Sequence, residues 1–354
     1  MRQFKEFIAK GRSVFVGLED SKINWKLCVR ADDNIINETS MPAKYSVLRS
    51  YLLNNYPDCK IKLIYEAGFR GFNLYDYLTE DNIECVVTPP NKVTEEKSNK
   101  QKCDKRDCRR LAKILEVKDY KACHVPDKER REDRQVSRTL VCVQKDMTRI
   151  KNRIRKFLEY HGLDDSFKPG SWSDADYQRL KELTFTDMMQ FDLNIMLTQF
   201  DELHNHKITL TNKLKELSAK PRYNKTFNIF KSAPGVGWMT AIRLVLEWGE
   251  DLSRFNSSKQ FGSFTGLISS EYSSGETIRH GRITRQSHYF VRGWLIQCAW
   301  TAYKRDPALL DKFERVWKNS GNKKKAIVAV ARKLSVRLRM CALKEEPYCF
   351  SLIK

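Results

Sequence analysis

Two runs of apolar residues at heptad spacing limit this chain more than anything else in it. Val136, Leu140, Val143, Met147, Ile150, Ile154 and Phe157 step by 4, 3, 4, 3, 4, 3. Leu193, Met196, Phe200, Leu203, Lys207, Leu210, Leu214 and Leu217 repeat the pattern, with Lys207 breaking the apolar run. A seam recurring every 3.5 residues keeps one narrow face of a helix against a partner, and a polar residue on it can fix register. The stretch between them, SFKPGSWSDADYQ, is rich in turn formers. The expected structure is a coiled-coil hairpin of two long helices, packed on itself and on a second copy.

The sequence on either side reads differently. Before the seams, VFVGLE (14–19), WKLCVR (25–30), NIINET (34–39), KLIYE (62–66) and IECVVTPP (83–90) read as strands, with helices at 47–56 and 72–81. A three-strand meander followed by alternating helix and strand predicts an α/β layer fold. A helix is expected from Asp104 through LAKILEV, after a loop over 92–102. Beyond the seams, 233–249, 288–303 and 323–338 predict helices, with a loop over 272–286. In this second helical unit Trp238, Trp248, Trp294 and Trp300 are expected in the core. Three domains are expected: 1–125 α/β, 126–222 the hairpin, and 223–354 mainly α.

Charge points to the partner. The 354 residues include 65 Lys+Arg and 44 Asp+Glu, a formal charge of +21. The excess sits in 91–157 (net +11) and 279–354 (net +13), while 1–90 is neutral and 158–278 is net −3. Two basic regions flanking a near-neutral middle suit a polyanion such as nucleic acid. Ten cysteines without a C-x-x-C pair, and only six histidines, argue against a zinc site and for reduced thiols. The start, MRQFKEFIAKGR, is too polar for a signal peptide, and no apolar run reaches the roughly 18 residues of a membrane span. A cytoplasmic protein with no membrane partner is expected.

Four acids are candidates for chemistry. Glu19 and Glu66 end predicted strands, and Asp104 and Asp107 open a predicted helix, three residues apart and so on one face. Like charges that close repel unless a cation lies between them. The surrounding Lys105, Arg106, Arg109 and Arg110 can supply it as helix ion pairs, or Mg2+ can, binding carboxylate oxygens and keeping waters for a phosphate. Farther on, YSSGETIRHGRITRQ sets Ser273 and Ser274 ahead of Arg279, Arg282 and Arg285. A serine nucleophile needs activation and arginines stabilise a phosphoryl transition state, but a Ser/Gly loop can equally just contact phosphates. APGVG (233–237) reads either as a phosphate-binding turn or as a plain helix start.

VGLEDSK, YEAGFRGFNLYDYL, CVVTPPNKV, KCDKRDCRRLAKIL and HVP, in that order, resemble the amino-terminal half of the DEDD transposases of bacterial insertion sequences. APGVGWMTA, FGSFTGLISSEYSSGETIRHGRITRQSHYFVRGWLIQCAW and KKKAIVAVARKL resemble their carboxy-terminal domain. The resemblance implies an RNase H-like, RuvC-like domain whose acids, here Glu19, Glu66, Asp104 and Asp107, bind Mg2+. It also implies a serine nucleophile before a glycine, here Ser274, forming a phosphoserine link to DNA. The family shows aspartate where this chain has Glu19, and Asp20 stands beside it as a substitute. Nucleic-acid contacts are then expected from Lys102, Lys105, Arg106, Arg109, Arg110, Arg279, Arg282 and Arg285.

The resulting expectation is a DNA recombinase guided by a non-coding bridge RNA that pairs with target and donor DNA. It would act as a dimer or tetramer, with Ser274 of one chain meeting the acids of another. The rivals are a RuvC-type nuclease that hydrolyses DNA with water, and a non-enzymatic nucleic-acid-binding protein.

Overall fold

The computed structural model describes residues 11–90, 104–163, 172–272, 279–284 and 289–350. The chain divides into two compact units between Val125 and Pro126.

The first unit is built on a five-stranded sheet in the order β3-β2-β1-β4-β5. Strands β1 (Ser13–Glu19), β2 (Asn24–Ala31) and β3 (Asn34–Pro42) form an antiparallel meander. Asp32 and Asp33 turn the β2–β3 hairpin with φ of 49° and 62°, the left-handed pair a two-residue hairpin needs. Strands β4 (Lys60–Glu66) and β5 (Glu84–Thr88) then extend the sheet in parallel on the other side of β1. This is the expected order of strands and helices, each within a few residues of its predicted bounds.

Alternation along the strands sorts their side chains onto two faces. Val14, Val16, Leu18, Leu63 and Tyr65 face one way and share a core with Leu48 and Leu52 of α1 (Tyr45–Asn55) and Leu74 and Leu78 of α2 (Asn73–Glu80). Phe15, Ile64 and Val86 face the other way, against Leu111 and Leu115 of α3 (Asp104–Glu116).

In the second unit, α4 (Lys128–Tyr160) and α6 (Asp187–Ala219) are each 33 residues long and pack antiparallel. The Lys220 ammonium, just past the end of α6, lies 3.0 Å from Glu129 at the start of α4. Toward the far end, residues from both predicted seams share one core, Val143, Met147, Ile150 and Ile154 with Leu193, Met196 and Phe200. The connection is less loop-like than its composition suggests. Ser173 and Asp176 form a reciprocal capping box that starts a short helix, α5 (Asp174–Glu182), which buries Leu180 against the hairpin.

At its base the hairpin joins a larger core. Leu140, Leu214 and Leu217 pack with α7 (Pro221–Lys231), α8 (Trp238–Trp248), α9 (Ser258–Phe264), α10 (Tyr289–Ala302), α11 (Pro307–Ser320) and α12 (Lys323–Lys344). From Ala241 to Trp248 every residue of α8 is buried, so this helix is the centre of the unit. Trp248 is fully buried and Trp238 and Trp294 pack against the core. Trp300 departs from expectation: it is 38% exposed, on an aromatic ladder with Tyr303 and Phe313.

Two other expectations are corrected or decided here. Part of the predicted loop over 272–286 is a strand, β7 (His280–Ile283), paired antiparallel with β6 (Ser269–Glu271). Its polar side chains hid the pairing, which backbone hydrogen bonds such as Tyr272 N–H to Arg279 O make. The APGVG turn is explained by packing. Gly235 has φ +78°, and a Cβ there would stand 2.4 Å from the carbonyl oxygen of Cys298, so the turn lets α8 and α10 approach closely.

Candidate active site

Glu19 and Glu66 end the two central parallel strands. Leu18 pairs with Tyr65 in register, so the two glutamates follow side by side at the carboxyl end of the sheet. By alternation, Glu19 continues the row of Phe15 and Gly17, and Glu66 that of Ile64. Both therefore lie on the face that carries α3.

Gly17 sets the position of α3. A Cβ at Gly17 would sit 2.1 Å from the carbonyl oxygen of Cys108 and 2.4 Å from the amide nitrogen of Ala112. Only glycine lets the helix backbone rest directly on β1 at this point. Asp107 immediately precedes that contact and Asp104 lies one turn earlier. Their place beside the strand ends is thus set by main-chain packing two residues from Glu19. At the other end of the helix, Glu116 accepts from Arg30 at 2.6 Å and from the backbone N–H of Asp33 at 2.9 Å.

Asp20 goes elsewhere. It turns to the opposite face, where its carboxylate accepts a hydrogen bond from the Trp25 indole at 2.7 Å and lies 3.5 Å from Arg70. Burial raises its pKa, opposed by the Trp25 hydrogen bond and the Arg70 charge. Between the two neighbours, only Glu19 shares a face with α3.

Two basic side chains lie among the acids. Lys26 pairs across the strands with Glu19, and its ammonium is 2.5 Å from Asp104 Oδ2. Arg110 reaches Asp107 at 3.4 Å and Glu66 at 3.8 Å. Among the described residues no group of three or more His, Cys, Asp or Glu is gathered closely enough to hold a metal. The donor set itself is all carboxylate, the kind a hard cation such as Mg2+ takes. In the geometry seen, Lys26 and Arg110 supply the counter-charge.

Of the expected nucleic-acid contacts, Lys105 and Arg106 are exposed on α3. Arg109 is held by both oxygens of Glu38, whose pKa this hydrogen bonding lowers. Arg279 and Arg282 are exposed beside the β6–β7 ribbon. Lys102, Ser273, Ser274 and Arg285 lie outside the described residues. Sequence reasoning overlooked Lys26 and Gly17. The alternation of Lys26, Cys28 and Arg30 along β2, and a glycine inside an apolar strand, were the signals for them.

Comparison with known proteins defines the class. Residues 17–162 match a transposase family model of the DEDD, IS110 type, and residues 227–314 match the model described as Transposase IS116/IS110/IS902 family. Over both stretches the chain is similar to the IS110/IS116 transposases, which supports a role in DNA transposition. It is 26% identical to the protein y4qE of Sinorhizobium fredii, which carries a transposase name, over 78% of this chain and 67% of that one. It is also 26% identical to the transposase for insertion sequence element IS1533 of Leptospira borgpetersenii, over 53% of this chain and 55% of that one. With the transposase for element IS1111A of Coxiella burnetii it shares 28% identity, over 44% of this chain and 42% of that one. Among the described residues, no helix is long and apolar enough to cross a membrane.

Proposed function

We propose that this transposase cuts and rejoins DNA with Glu19, Glu66, Asp104 and Asp107 holding Mg2+ and with Ser274 as nucleophile. The observation that carries the acid half is that Glu19 and Glu66 end neighbouring strands on the face against which Gly17 seats α3. A meander extended on its first strand by two parallel strands supports an RNase H-like, RuvC-like reading of the first unit. Bound at these carboxylates, Mg2+ would neutralise the phosphate under attack and stabilise the departing oxygen.

In the serine step, the Ser274 oxygen forms a bond to phosphorus while one P–O bond of the strand breaks, and the serine proton passes to the leaving oxygen. The phosphodiester count is unchanged, so the strand can be handed to a new end without ATP. The two basic regions grip the sugar–phosphate chain, and binding weakens steeply with salt. In this reading a non-coding bridge RNA pairs with target and donor DNA. Residues 1–125, 126–222 and 223–354 serve as catalytic domain, coiled-coil dimerisation arm and serine-bearing domain of a dimer or tetramer.

A second reading is favoured by the DEDD type of the amino-terminal match: the acids alone, with water, hydrolyse the strand. Covalent capture separates the two. The protein is combined with RNA of its own element, Mg2+ and labelled donor and target DNA, then denatured. A labelled adduct of protein mass, absent in Ser274→Ala and present in Ser273→Ala, supports the serine step. Free cleaved DNA unchanged by Ser274→Ala supports hydrolysis.

A further inference from the structure

The segment Ala67–Tyr77 follows Glu66 and is unusually aromatic, yet the acid site uses none of it. It lines a cavity of about 220 Å³ on the face of the sheet opposite α3, together with Asp20, Trp25 and Tyr45. Tyr45 and Tyr77 stack at one side, with ring centroids 5.0 Å apart and planes 23° from parallel. Tyr45 is fixed by donating its hydroxyl proton to Asp81, with the Tyr77 carbonyl oxygen 2.9 Å from the same hydroxyl, while Tyr77 remains 48% exposed. At the other side Arg70 lies over the Trp25 ring at 5.5 Å and is anchored by donating to the Ser21 carbonyl at 2.9 Å. Asp20 forms a polar floor, its side chain only 7% exposed. Next to Arg70 in the chain, Phe69 is 68% exposed, with the Lys22 ammonium 5.5 Å from its ring, and Ile23 beside Lys22 is 79% exposed.

A concave site lined by aromatic rings, with a few polar groups at fixed places, is the form a small flat ligand needs. Rings with an open face, a guanidinium plane and a nearby lysine are what a single unstacked nucleotide needs: stacking for the base and charge for its phosphate. The carboxylate floor can only accept, so it matches a base edge that carries an amino group. Asp20 is the residue next to Glu19, so this pocket opens at the same end of the sheet as the acids, one strand thickness away. We infer that the cavity between the Tyr45–Tyr77 stack and the Arg70–Trp25 pair captures one unpaired nucleobase of a strand led to the acidic site. The inference rests on the reading that this unit handles nucleic acid, and it names the place where a base is taken out of its stack.

The test uses the full chain without added Mg2+, so that no cleavage step enters. Single-stranded DNA and RNA of one sequence, each carrying a single 2-aminopurine, are titrated, with the DNA duplex as a third probe. Capture predicts quenching of the 2-aminopurine on a single strand. Tyr77→Ala and Phe69→Ala should each weaken single-strand binding about tenfold, whereas Tyr77→Phe keeps it. Dependence on Tyr77 with the DNA strand assigns the base to substrate, and with the RNA strand to the RNA; either supports the pocket. Binding and quenching unchanged in both alanine variants, with unaltered melting temperatures, would overturn it. Glu66→Gln, which should abolish cleavage, leaves the quenching intact, so failure of the acid site and failure of the pocket are read separately.

Discussion

Lys26 stands directly across the strands from Glu19 and holds Asp104 at 2.5 Å. Its ammonium thereby ties β2, beside the end of the first strand, to the first turn of α3, where Asp104 and Asp107 carry the same sign. The site carries its own counter-ion, and that gives it a measurable signature.

Replacing Lys26 with Met removes the internal cation and leaves the carboxylates repelling. The variant should melt at a lower temperature than the parent in the absence of Mg2+. Added Mg2+ should raise its melting temperature by more than it raises the parent's, because a ligand stabilises in proportion to its occupancy of the folded state. Equal Mg2+ responses in the two proteins would remove Lys26 from the site.

Gly17→Ala tests the seating of α3. The added Cβ would meet helix backbone, which cannot swing aside as a side chain can. The expected cost is about 3 kcal/mol, at the upper end for overpacking, measured by chemical denaturation. Cleavage should fall with it even where the variant remains folded, since Asp104 and Asp107 move with the helix.

Glu247 is fully buried on α8 and takes two hydrogen bonds from Arg138 of α4, at 2.9 and 3.0 Å. Glu247→Ala leaves that guanidinium without its principal partner. Arg138 is a third exposed, which lets water recover part of the loss, so the destabilisation should be about 2–3 kcal/mol, below that of a wholly buried pair. Urea unfolding of the full chain reads it.

Asp127 caps α4 and is gripped by Arg222. That hydrogen bond chiefly, against some burial, holds its pKa well below the usual carboxylate range. A carboxyl depressed in the folded state stabilises above its unfolded pKa of about 4, and this contribution fades as pH falls below that value. Melting temperature followed from pH 6 to pH 2 should drop more steeply for the parent than for Asp127→Asn, by a modest amount since the group is half exposed.

Thiol reactivity should follow burial. Burial chiefly pushes Cys28 up to about 12 and Cys108 and Cys298 up to about 11. Iodoacetamide at pH 8 should modify the exposed Cys142 and Cys349 well before these three, as peptide mass mapping would record.

The seams were legible because a 3.5-residue repeat keeps one face of a helix against a partner, and Met147 and Phe200, one from each seam, share a core. The strands were legible for the same reason at period two. Glu19, Glu66, Asp104 and Asp107 could be named because they end or begin such elements. Arg110 could be named as a counter-ion too, since it stands three residues from Asp107 on one helix, whereas Lys26 could not, because Asp104 is remote in the chain and only the fold brings the two together. The β6–β7 ribbon escaped because its short, mostly polar strands carry no apolar alternation. Trp300 was misplaced because a ring on a ladder with Phe313 looks, in sequence, like one in the core.

The base of the hairpin has a consequence for how the protein is made. Leu140 of α4 belongs to a core whose members run as late as Leu338 of α12. The hairpin's far end is covered by α6 alone, while the core its base joins is complete only once α12 has been made. Contacts this remote in sequence form late, and apolar surface left open meanwhile invites wrong partners. Each new copy of the second unit thus spends its synthesis half zipped, and truncation anywhere before α12 leaves it so.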